Sequence, residues 1–317
     1  MEVANPPSDS ISRVRFSPVD PGLLLVSSWD SSVRLYDIDS QSIRSHFVSR
    51  GAVLDCCFGH DNHLAAGGLD TNVSVYNSSE NVLHNLGSHS APVSCIDYCP
   101  EANVYASGSW DKSVKLWDPR LDSCASTMPT QGKVYAMGVI DHILIVGMSG
   151  RHVGYYDFRM MSPIREAESP LKYQVRSIGT SSQSKLYGQG SIEGRVAIED
   201  YSNPSNRFAF KCHRKDQGND KTFVFPVNSI DFHPVYATTF ATGGSDGTVS
   251  LWDGQYRRKR SSFKGFNNPI SSVSFSCDGN RIAIASSYTF EEGERNVPPS
   301  AICIRNVANE HVVPKKK

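Results

Sequence analysis

Short runs of apolar residues recur along this chain, and each is followed by a tight-turn sequence and a stretch of alternating polarity. Residues 104–107 (VYAS) form such a run, residues 109–112 (SWDK) form a turn, and residues 113–117 (SVKLW) alternate polar with apolar side chains. This order predicts a strand, a reverse turn and a second strand. The same outline returns at residues 24–37, 63–77 and 239–253. The chain therefore repeats one β-rich unit.

A two-residue ending closes each unit, and the spacing of these endings predicts the architecture. They are Tyr36-Asp37, Tyr76-Asn77, Trp117-Asp118, Tyr156-Asp157, Glu199-Asp200, Trp252-Asp253 and Arg305-Asn306, at intervals of 40, 41, 39, 43, 53 and 53 residues. A period of about 40 to 45 residues with a terminal Trp-Asp is typical of WD40 repeats, in which each repeat supplies a four-stranded blade. Seven endings predict an all-β fold, a seven-bladed WD40 β-propeller that forms a single closed domain. The two long intervals place extra loop around residues 215–225 and 289–300.

The predicted blades divide almost the whole chain. They are expected at residues 11–48, 52–86, 91–128, 134–167 and 175–214, from residue 227 onwards, and at 271–307. Residues 1–10 form a lead-in, of which only residues 2–4 are available as a short strand to close the ring. Residues 308–317 form a basic tail that ends in three lysines, and we interpret it as a solvated terminus.

Composition argues against several classes of function. The chain has 32 Lys and Arg residues and 32 Asp and Glu residues, so no bulk charge draws it to nucleic acid or to an anionic membrane. No apolar run approaches the roughly 18 residues of a membrane-spanning helix. The first ten residues have neither the basic nor the apolar segment of a secretory signal. Eight cysteines without a CxxC pair favour a reducing, intracellular compartment.

The sequence contains no catalytic motif in the structural context that such a motif requires. It has no phosphate-binding GxxxxGK loop and no HExxH, and its GxSxG match at residues 243–247 lies in a predicted strand-to-strand turn and not in the strand-to-helix elbow of hydrolases. Its ten histidines show no spacing to cysteine or carboxylate that is typical of metal ligands. We therefore predict a binding protein that is not an enzyme and has no cofactor or metal.

The element Gly87-Ser88-His89, which precedes the third blade, matches the Gly-His element of WD repeats. The resemblance to these repeats implies that His89, Ser107, Asp111 and Trp117 form a buried hydrogen-bonded chain. Because buried polar groups need partners, we expect a structural role for all four residues.

Propeller geometry sorts the loops onto two rims. With the strands of each blade named a to d in chain order, the b–c turns and d-to-a links share one rim, here the upper rim, and the a–b and c–d turns share the lower rim. The upper rim is expected to collect Trp29, Trp110, Arg195, Asp246 and residues 211–214. Tryptophans in exposed turns are costly unless they pack locally or meet a partner.

A local excess of positive charge accompanies these tryptophans. Residues 171–215 contain eight basic and three acidic side chains, a balance of +5. Such a patch is either a solvated face or a site for an acidic or phosphorylated peptide, since arginine binds phosphate through two parallel hydrogen bonds.

Several segments carry a more specific resemblance. They are LLLVSSWDSSVRLYD (23–37), GAVLDCCF (51–58), YCPEANVYASGSWDKSVKLWDPR (98–120), LKYQVR (171–176), SIEGRVAIE (191–199), FAFKCHR (208–214), FPVNSIDFHP (225–234) and FATGGSDGTVSLWD (240–253). On these segments, which lie in or next to predicted blades 1, 2, 3, 5 and 6, the chain resembles the spindle-assembly-checkpoint propeller family of the third budding-uninhibited-by-benzimidazole protein.

The resemblance implies a mitotic adaptor of the nucleus and cytoplasm that acts at the kinetochore. Its implied partners are the checkpoint kinase and its pseudokinase-like relative, bound through a short segment, and the mitotic checkpoint complex. A further implied partner is a kinetochore scaffold that carries threonine-phosphorylated Met-Glu-Leu-Thr repeats. Matched motif to motif, Arg195 and Lys211 would bind the phosphate. Trp29 and Trp110 would contact the partner segment, and Arg176 would pair with the glutamates of that segment.

A sister family is the first alternative. The messenger-RNA-export propeller that binds a nucleoporin shares SIEGRVAI, FKCHR, SPLKYQ and FHPV. The first four blades favour the checkpoint family, through VSSWDSSVRLYD, GAVLDCCF, YCPE, WDPR and KVYAMGV.

The second alternative is a substrate receptor of a cullin-four ubiquitin ligase. Asp118 and Arg120 belong to a WDxR sequence like that of receptors for the cullin-four adaptor, and Arg159 ends a similar YDFR sequence. Both lie on the lower rim, and the arginines have a simpler interpretation as braces of their own turns.

Overall fold

The computed structural model describes residues 1–314 except 62, 79, 81, 122, 161, 219 and 220. The three lysines of the predicted basic tail, residues 315–317, therefore lie outside the described residues. The described chain is almost entirely β-structure, arranged as seven antiparallel sheets and a separate two-stranded hairpin. The predicted all-β, seven-bladed WD40 propeller is confirmed.

Each of the first four blades is a four-stranded antiparallel sheet in simple chain order. Blade 1 contains β1 (Ile11–Phe16), β2 (Leu23–Ser28), β3 (Ser32–Asp37) and β4 (Ser42–Val48). Blade 2 contains β5 (Val53–Phe58), β6 (His63–Gly68), β7 (Asn72–Asn77) and β8 (Val82–Ser88). Blade 3 contains β9 (Val93–Cys99), β10 (Val104–Ser109), β11 (Ser113–Trp117) and β12 (Ser126–Pro129). Blade 4 contains β13 (Val134–Ile140), β14 (Ile143–Met148), β15 (His152–Asp157) and β16 (Ser162–Glu168), with a 3₁₀ turn at Ser149–Arg151.

The remaining blades include the two insertions. Blade 5 contains β17 (Val175–Ser181), β18 (Leu186–Ser191), β19 (Arg195–Asp200) and β20 (Arg207–Lys211). The separate hairpin contains β21 (Arg214–Asp216) and β22 (Thr222–Val224). Blade 6 contains β23 (Val227–Phe232), β24 (Thr239–Gly244), β25 (Thr248–Asp253) and β26 (Arg258–Phe263). Blade 7 contains β27 (Ile270–Phe275), β28 (Arg281–Ser286) and β29 (Ala301–Asn306), and a short helix α1 (Asn309–Val312) follows it.

The burial of each strand follows from its position in the blade. The second strand of blade 3, β10, is buried on both faces because a blade is covered by its two neighbours. The fourth strand of blade 2, β8, is mostly exposed at the outside of the ring. Apolar side chains pack between adjacent blades, for example Val104, Leu116 and Val134 between blades 3 and 4. The core is thus distributed around the ring.

The N-terminus closes the ring as a short fourth strand of blade 7. Glu2 pairs with Cys303 in an antiparallel bridge. Val3 donates its N–H to the carbonyl of Ile302 at 2.9 Å and is buried in the cluster that joins blades 7 and 1. The closing strand is therefore short, as expected from a lead-in in which only residues 2–4 are available for it.

Both insertions lie where the long intervals predict them. The hairpin of β21 and β22 connects blades 5 and 6, so Arg214 opens this hairpin and does not end blade 5, whose last strand stops at Lys211. In blade 7, residues 287–300 connect β28 and β29 in place of a tight turn. Both insertions are therefore on the upper rim.

Candidate functional site

The two candidate phosphate-binding residues lie side by side in blade 5. Arg195 is the first residue of β19 and Lys211 is the last residue of β20, and their Cα atoms are direct partners across the two strands. Directly opposed residues of an antiparallel pair project from the same face of the sheet, with Cβ atoms about 4.5–5.5 Å apart. The arrangement brings two cations together at the upper rim, close enough to reach one phosphoryl group.

Lys211 is the more available of the two charges, because Arg195 already has a carboxylate neighbour. Nε of Arg195 lies 2.8 Å from Oε1 of Glu193, without the alignment of a hydrogen bond. Lys211 is exposed and makes no ion pair with any other described residue. The arrangement is suited to a doubly charged anion more than to a neutral peptide.

The SIEGR turn and the FKCHR segment are bound to each other. Cys212 donates its N–H to the carbonyl of Gly194 at 2.9 Å, and the guanidinium of Arg214 donates to the carbonyl of Glu193 at 2.9 Å. Gly194 has a φ of +64°, and a Cβ at this position would lie 2.6 Å from the carbonyl oxygen of Cys212. Glycine is therefore required for the close approach that sets Arg195 beside Lys211.

A basic cavity adjoins Lys211, and sequence reasoning identified only part of it. The cavity has a volume of about 590 Å³, and its walls include Lys211, Arg214, Lys215, Lys259 and Lys264. The pKa of Lys259 is lowered, first by burial and then by the charge of Lys264. Since Lys259 and Lys264 belong to blade 6, a count of charges along blade 5 could not find them.

The two tryptophans differ in exposure. Trp29 is in the b–c turn of blade 1 and is 47% exposed. Trp110 is at the equivalent turn of blade 3 but is only half-buried, not fully exposed as expected, and its indole N–H has no partner among the described residues. Both lie on the upper rim, but the indole nitrogen of Trp110 is itself buried, so Trp29 offers the larger contact area to a partner.

Trp29 and Arg176 line one cavity at the mouth of the central channel. This cavity has a volume of about 500 Å³, and its walls include Ile11, Tyr288 and Phe290. Burial lowers the pKa of Arg176, and the carboxylate of Glu291 partly offsets this effect. Arg195 and Lys211 are not part of this cavity, so the upper rim carries two separate candidate sites.

The four residues of the expected structural chain are connected. His89 contacts Oδ2 of Asp111 through Nδ1 at 2.9 Å and Oγ of Ser107 through Nε2 at 2.7 Å, and the indole of Trp117 donates to the same Oγ at 2.7 Å. Burial lowers the pKa of His89. Burial alone would raise the pKa of Asp111, but hydrogen bonds from Ser113, the N–H of Ser90 and His89 lower it to about 2. These hydrogen bonds connect Asp111 in the b–c turn to Ser107 and Trp117 inside blade 3.

Blade 6 contains a second chain of this kind that the sequence analysis missed. His213 contacts Asp246 at 2.8 Å and Thr242 at 2.8 Å, and Trp252 donates to the same Thr242 hydroxyl at 2.9 Å. The equivalence of the two chains is difficult to recognise in the sequence, because the hairpin lengthens the spacing between histidine and aspartate. His213 and Asp246 are 33 residues apart, whereas His89 and Asp111 are 22 residues apart. Aligning the two aspartates, with 11 residues removed, would have revealed it.

The candidate ligase contacts lie on the lower rim. Arg120 pairs with Asp118 at 2.6 Å, and Arg159 pairs with Asp157 at 2.7 Å. Each guanidinium also binds the second carboxylate oxygen of its partner. The hydrogen bond from Arg120, partly opposed by burial, lowers the pKa of Asp118. Each arginine thus braces its own turn, and the two side chains remain 68% and 63% exposed.

The described residues form neither a metal-binding cluster nor a membrane-spanning helix. Among the described residues, no three His, Cys, Asp or Glu side chains are grouped to hold a metal ion. Within those residues, no helix has the length and apolar character needed to cross a bilayer. All eight cysteines are free thiols.

Comparison with known proteins agrees with the fold and narrows the family. The WD domain, G-beta repeat family matches residues 4–37, 80–118, 210–253 and 257–289. The mitotic checkpoint protein BUB3.1 of Arabidopsis thaliana is 44% identical, over 100% of this chain and 95% of the relative. The mitotic checkpoint protein bub3 of Dictyostelium discoideum is 41% identical, over 98% of this chain and 96% of the relative. The poly(A)+ RNA export protein of Schizosaccharomyces pombe is 35% identical, over 100% of this chain and 93% of the relative.

Proposed function

This chain belongs to the Bub3 family of mitotic checkpoint WD40 proteins, and from this premise we propose that it is a non-enzymatic adaptor of the kinetochore. In this proposal it binds threonine-phosphorylated motifs of a kinetochore scaffold and recruits the checkpoint kinase and its pseudokinase-like relative. Residence in nucleus and cytoplasm, with enrichment at kinetochores in mitosis, and contact with the mitotic checkpoint complex are parts of the same proposal.

The observation that carries the proposal is the pairing of Arg195 with Lys211. Two cations on one face of two adjacent strands match the geometry of a phosphoryl group, which has three acceptor oxygens and a charge near −2. The basic cavity next to Lys211 extends the positive potential along the rim. An unphosphorylated threonine offers no charge and a single hydroxyl oxygen as acceptor, so binding should depend on phosphorylation.

The partner segment is proposed to lie at the channel mouth. Trp29 supplies exposed apolar area, Trp110 adds the accessible part of its half-buried ring, and Arg176 is an exposed cation. This combination fits a segment that contains both apolar and acidic residues. Because the two candidate sites are separate, one chain can hold the scaffold motif and the kinase segment together.

Charge reversal tests the phosphate site. We expect Arg195→Glu and Lys211→Glu each to weaken binding of a threonine-phosphorylated Met-Glu-Leu-Thr peptide by about 10-fold or more, since a hydrogen bond to a charged group contributes about 1.5–3 kcal/mol. The free energy of unfolding should change by only about 0.5 kcal/mol in Lys211→Glu, because this side chain is exposed, and by about 1 kcal/mol more in Arg195→Glu, which loses its ion pair with Glu193. Isothermal titration calorimetry and urea-induced unfolding measure the two quantities.

Lys133→Glu is the matched control, since Lys133 is an exposed lysine in the upper-rim link between blades 3 and 4. It should bind the phosphopeptide within about twofold of the parent, because a distant exposed charge is largely screened. If both blade 5 variants bind the phosphopeptide as the parent does, the proposed phosphate site is wrong.

A pull-down separates the checkpoint proposal from the messenger-RNA-export alternative. From mitotic cells, we expect the tagged protein to recover the kinetochore scaffold and the checkpoint kinase. Recovery of a nucleoporin together with RNA, in their place, would instead favour the export function of the 35% identical relative.

A second candidate activity concerns the lower rim. Arg120 and Arg159 are exposed on adjacent blades and far from the upper-rim sites. If they contact the cullin-four adaptor, an Arg120→Ala, Arg159→Ala double variant should lose co-precipitation of the adaptor while it still binds the phosphopeptide. Unchanged recovery of the adaptor would reject this activity.

A further inference from the structure

Three blades contribute to one carboxylate contact at the channel mouth. Oε1 of Glu291, from the blade 7 insertion, accepts a hydrogen bond from the Ser245 hydroxyl of blade 6 at 2.7 Å. The same oxygen lies 3.8 Å from Nη2 of Arg176 in blade 5. The Glu291 carboxylate therefore lies between one hydroxyl donor and one cation that belong to different blades.

The hydroxyl of Ser245 is held in the orientation that donates to this carboxylate. Nδ2 of Asn228 donates to Oγ of Ser245 at 2.9 Å and to the carbonyl of Ile270 at 2.9 Å. Asn228 is only 9% exposed, and its Oδ1 has no partner among the described residues. With its acceptor side occupied by Asn228, the Ser245 hydroxyl directs its hydrogen toward Glu291. The donors are thus preorganised for a carboxylate.

The insertion that carries Glu291 has its own fastening points. The hydroxyl of Tyr288 accepts from the N–H of Glu292 at 3.0 Å and donates to the carbonyl of Gly293 at 2.9 Å. Further along, Nδ2 of Asn268 donates to the carbonyl of Pro298 at 3.0 Å. These bonds do not involve the Glu291 side chain, so this side chain can leave its site while the insertion stays folded.

We propose that Arg176 and Ser245 form a carboxylate-binding site, which Glu291 fills in the free protein and a glutamate of the partner segment fills in the complex. This inference rests on the proposed function, in which Arg176 meets an acidic partner segment. It adds Ser245 as a binding residue, Asn228 as the residue that positions it, and Glu291 as an internal competitor.

Competition at this site provides selectivity. The Arg176 side chain is 38% exposed in the free protein, where Glu291, at 3.8 Å, is its counter-ion until a partner arrives. An acidic segment replaces one carboxylate with another, whereas a neutral segment would leave Arg176 unpaired. Displacement of Glu291 costs the same free energy for any ligand, and only an acidic segment regains it from Arg176, so a neutral segment binds without displacing Glu291 and with lower affinity.

Peptide binding to single and double variants tests the inference. The probe is a fluorescein-labelled peptide of the partner segment from the checkpoint kinase of the same species, made with its glutamates intact or replaced by glutamine, and the readout is fluorescence anisotropy. Glu291→Gln should bind the intact peptide about 3- to 10-fold more tightly, because the competitor has lost its charge. It should bind the glutamine peptide no more tightly than the parent does.

The matched control is Glu292→Gln, which removes the same charge from the next residue, where the carboxylate is exposed and paired with Arg295. It should leave affinity within about twofold of the parent. An equal gain from Glu291→Gln and Glu292→Gln would overturn the inference, since the effect would then come from net charge.

Making the Arg176→Gln change in two proteins, the parent and the Glu291→Gln variant, separates this inference from the proposed function. Arg176→Gln should weaken binding by about 10-fold when Glu291 is already glutamine, but less in the parent, where the free protein also loses its internal pair. Ser245→Ala should likewise weaken binding in the Glu291→Gln background, by about 3-fold or more.

Equal losses from Arg176→Gln in both backgrounds, with no gain from Glu291→Gln, would refute the competition and leave the proposed function intact. No loss from Arg176→Gln in either background would refute the role of Arg176 itself, and the inference with it.

Discussion

The raised pKa of Asp231 predicts that its charge destabilises the folded protein at neutral pH. Asp231 is near the end of β23, where its Oδ2 accepts the N–H of Phe275 at 2.6 Å, and it lines a 480 Å³ cavity with Arg13 and Arg15. Burial raises its pKa from 3.8 to about 6, and the Phe275 hydrogen bond and the two arginines only partly offset this effect. We predict that Asp231→Asn stabilises the protein at neutral pH.

Arg13 and Arg15 offset the charge of Asp231 only partly, because both also lie close to other carboxylates. Arg15 pairs with Asp97 at 2.8 Å and lies 3.7 Å from Asp55, and Arg13 lies 3.4 Å from Asp55. These two guanidinium groups therefore face three carboxylates, including Asp231. Asp231 is left with the weakest compensation for its burial.

The magnitude follows from the shift in pKa. A folded-state pKa about two units above the ordinary value means that the ionised group costs about 3 kcal/mol of stability at pH 7.5. As pH rises from about 4 to about 6, the unfolded chain has already lost the proton that the folded chain still binds, so stability falls across this window. Asparagine removes the charge and keeps an oxygen that accepts the N–H of Phe275. Its gain should be about 3 kcal/mol at pH 7.5 and about 1 kcal/mol at pH 4.5.

Urea-induced unfolding at the two pH values measures this gain. Asp278→Asn is a control with the opposite sign, because hydrogen bonds from Ser276 and Asn280 outweigh burial and lower the pKa of Asp278. That substitution should destabilise the protein, and more at pH 7.5 than at low pH. An Asp231→Asn variant that is no more stable than the parent at pH 7.5, or that gains equally at both pH values, would show that the reasoning is wrong.

Three further predictions concern structural contacts. His89→Ala removes a hydrogen bond from Asp111, which keeps those of Ser113 and Ser90, and one from Ser107, and it empties buried space; it should lower the free energy of unfolding by about 2–4 kcal/mol, which urea unfolding measures, and a loss below about 1 kcal/mol would contradict the role of this hydrogen-bonded chain. Val3→Asp places a charge at a position that is 3% exposed and should cost about 2–4 kcal/mol and speed proteolysis of the N-terminus, whereas unchanged proteolysis would mean that the closing strand contributes little. Gly194→Ala should cost at least about 1–3 kcal/mol and weaken phosphopeptide binding, because its φ of +64° and the nearby carbonyl of Cys212 exclude a side chain; parent-like affinity would separate the turn from the phosphate site.

The sequence was sufficient for features that depend on a repeat. The strand–turn–strand pattern identifies the blades, and the alternation of turns between rims correctly assigns Trp29 and Arg195 to the upper rim. The long intervals identify both insertions. These features depend on local pattern, which recurs in register from blade to blade.

Features that depend on contacts between distant blades could not be found in the same way. Lys259 and Lys264 join the basic cavity because blade 6 lies beside blade 5, and nothing in their local sequence indicates this. The pairing of Arg15 with Asp97 crosses 82 residues of sequence. In a ring, the side chains that meet at the channel come from every repeat, so their charge balance is visible only once the ring is closed.

The blade 7 insertion combines both situations. The length of this insertion is predictable from the 53-residue interval. The local sequence around its glutamates indicates only an exposed acidic loop. Its chemistry depends on Arg176 and Ser245, which are 115 and 46 residues away from Glu291. An acidic loop on the same rim as a site for acidic ligands would repel those ligands if it were only a solvated surface. Glu291 instead contacts Arg176, the cation that the ligand is proposed to use. Its carboxylate stabilises Arg176 in the free protein and leaves when the ligand binds. The affinity therefore depends on how much more strongly Arg176 and Ser245 bind the ligand's carboxylate than that of Glu291.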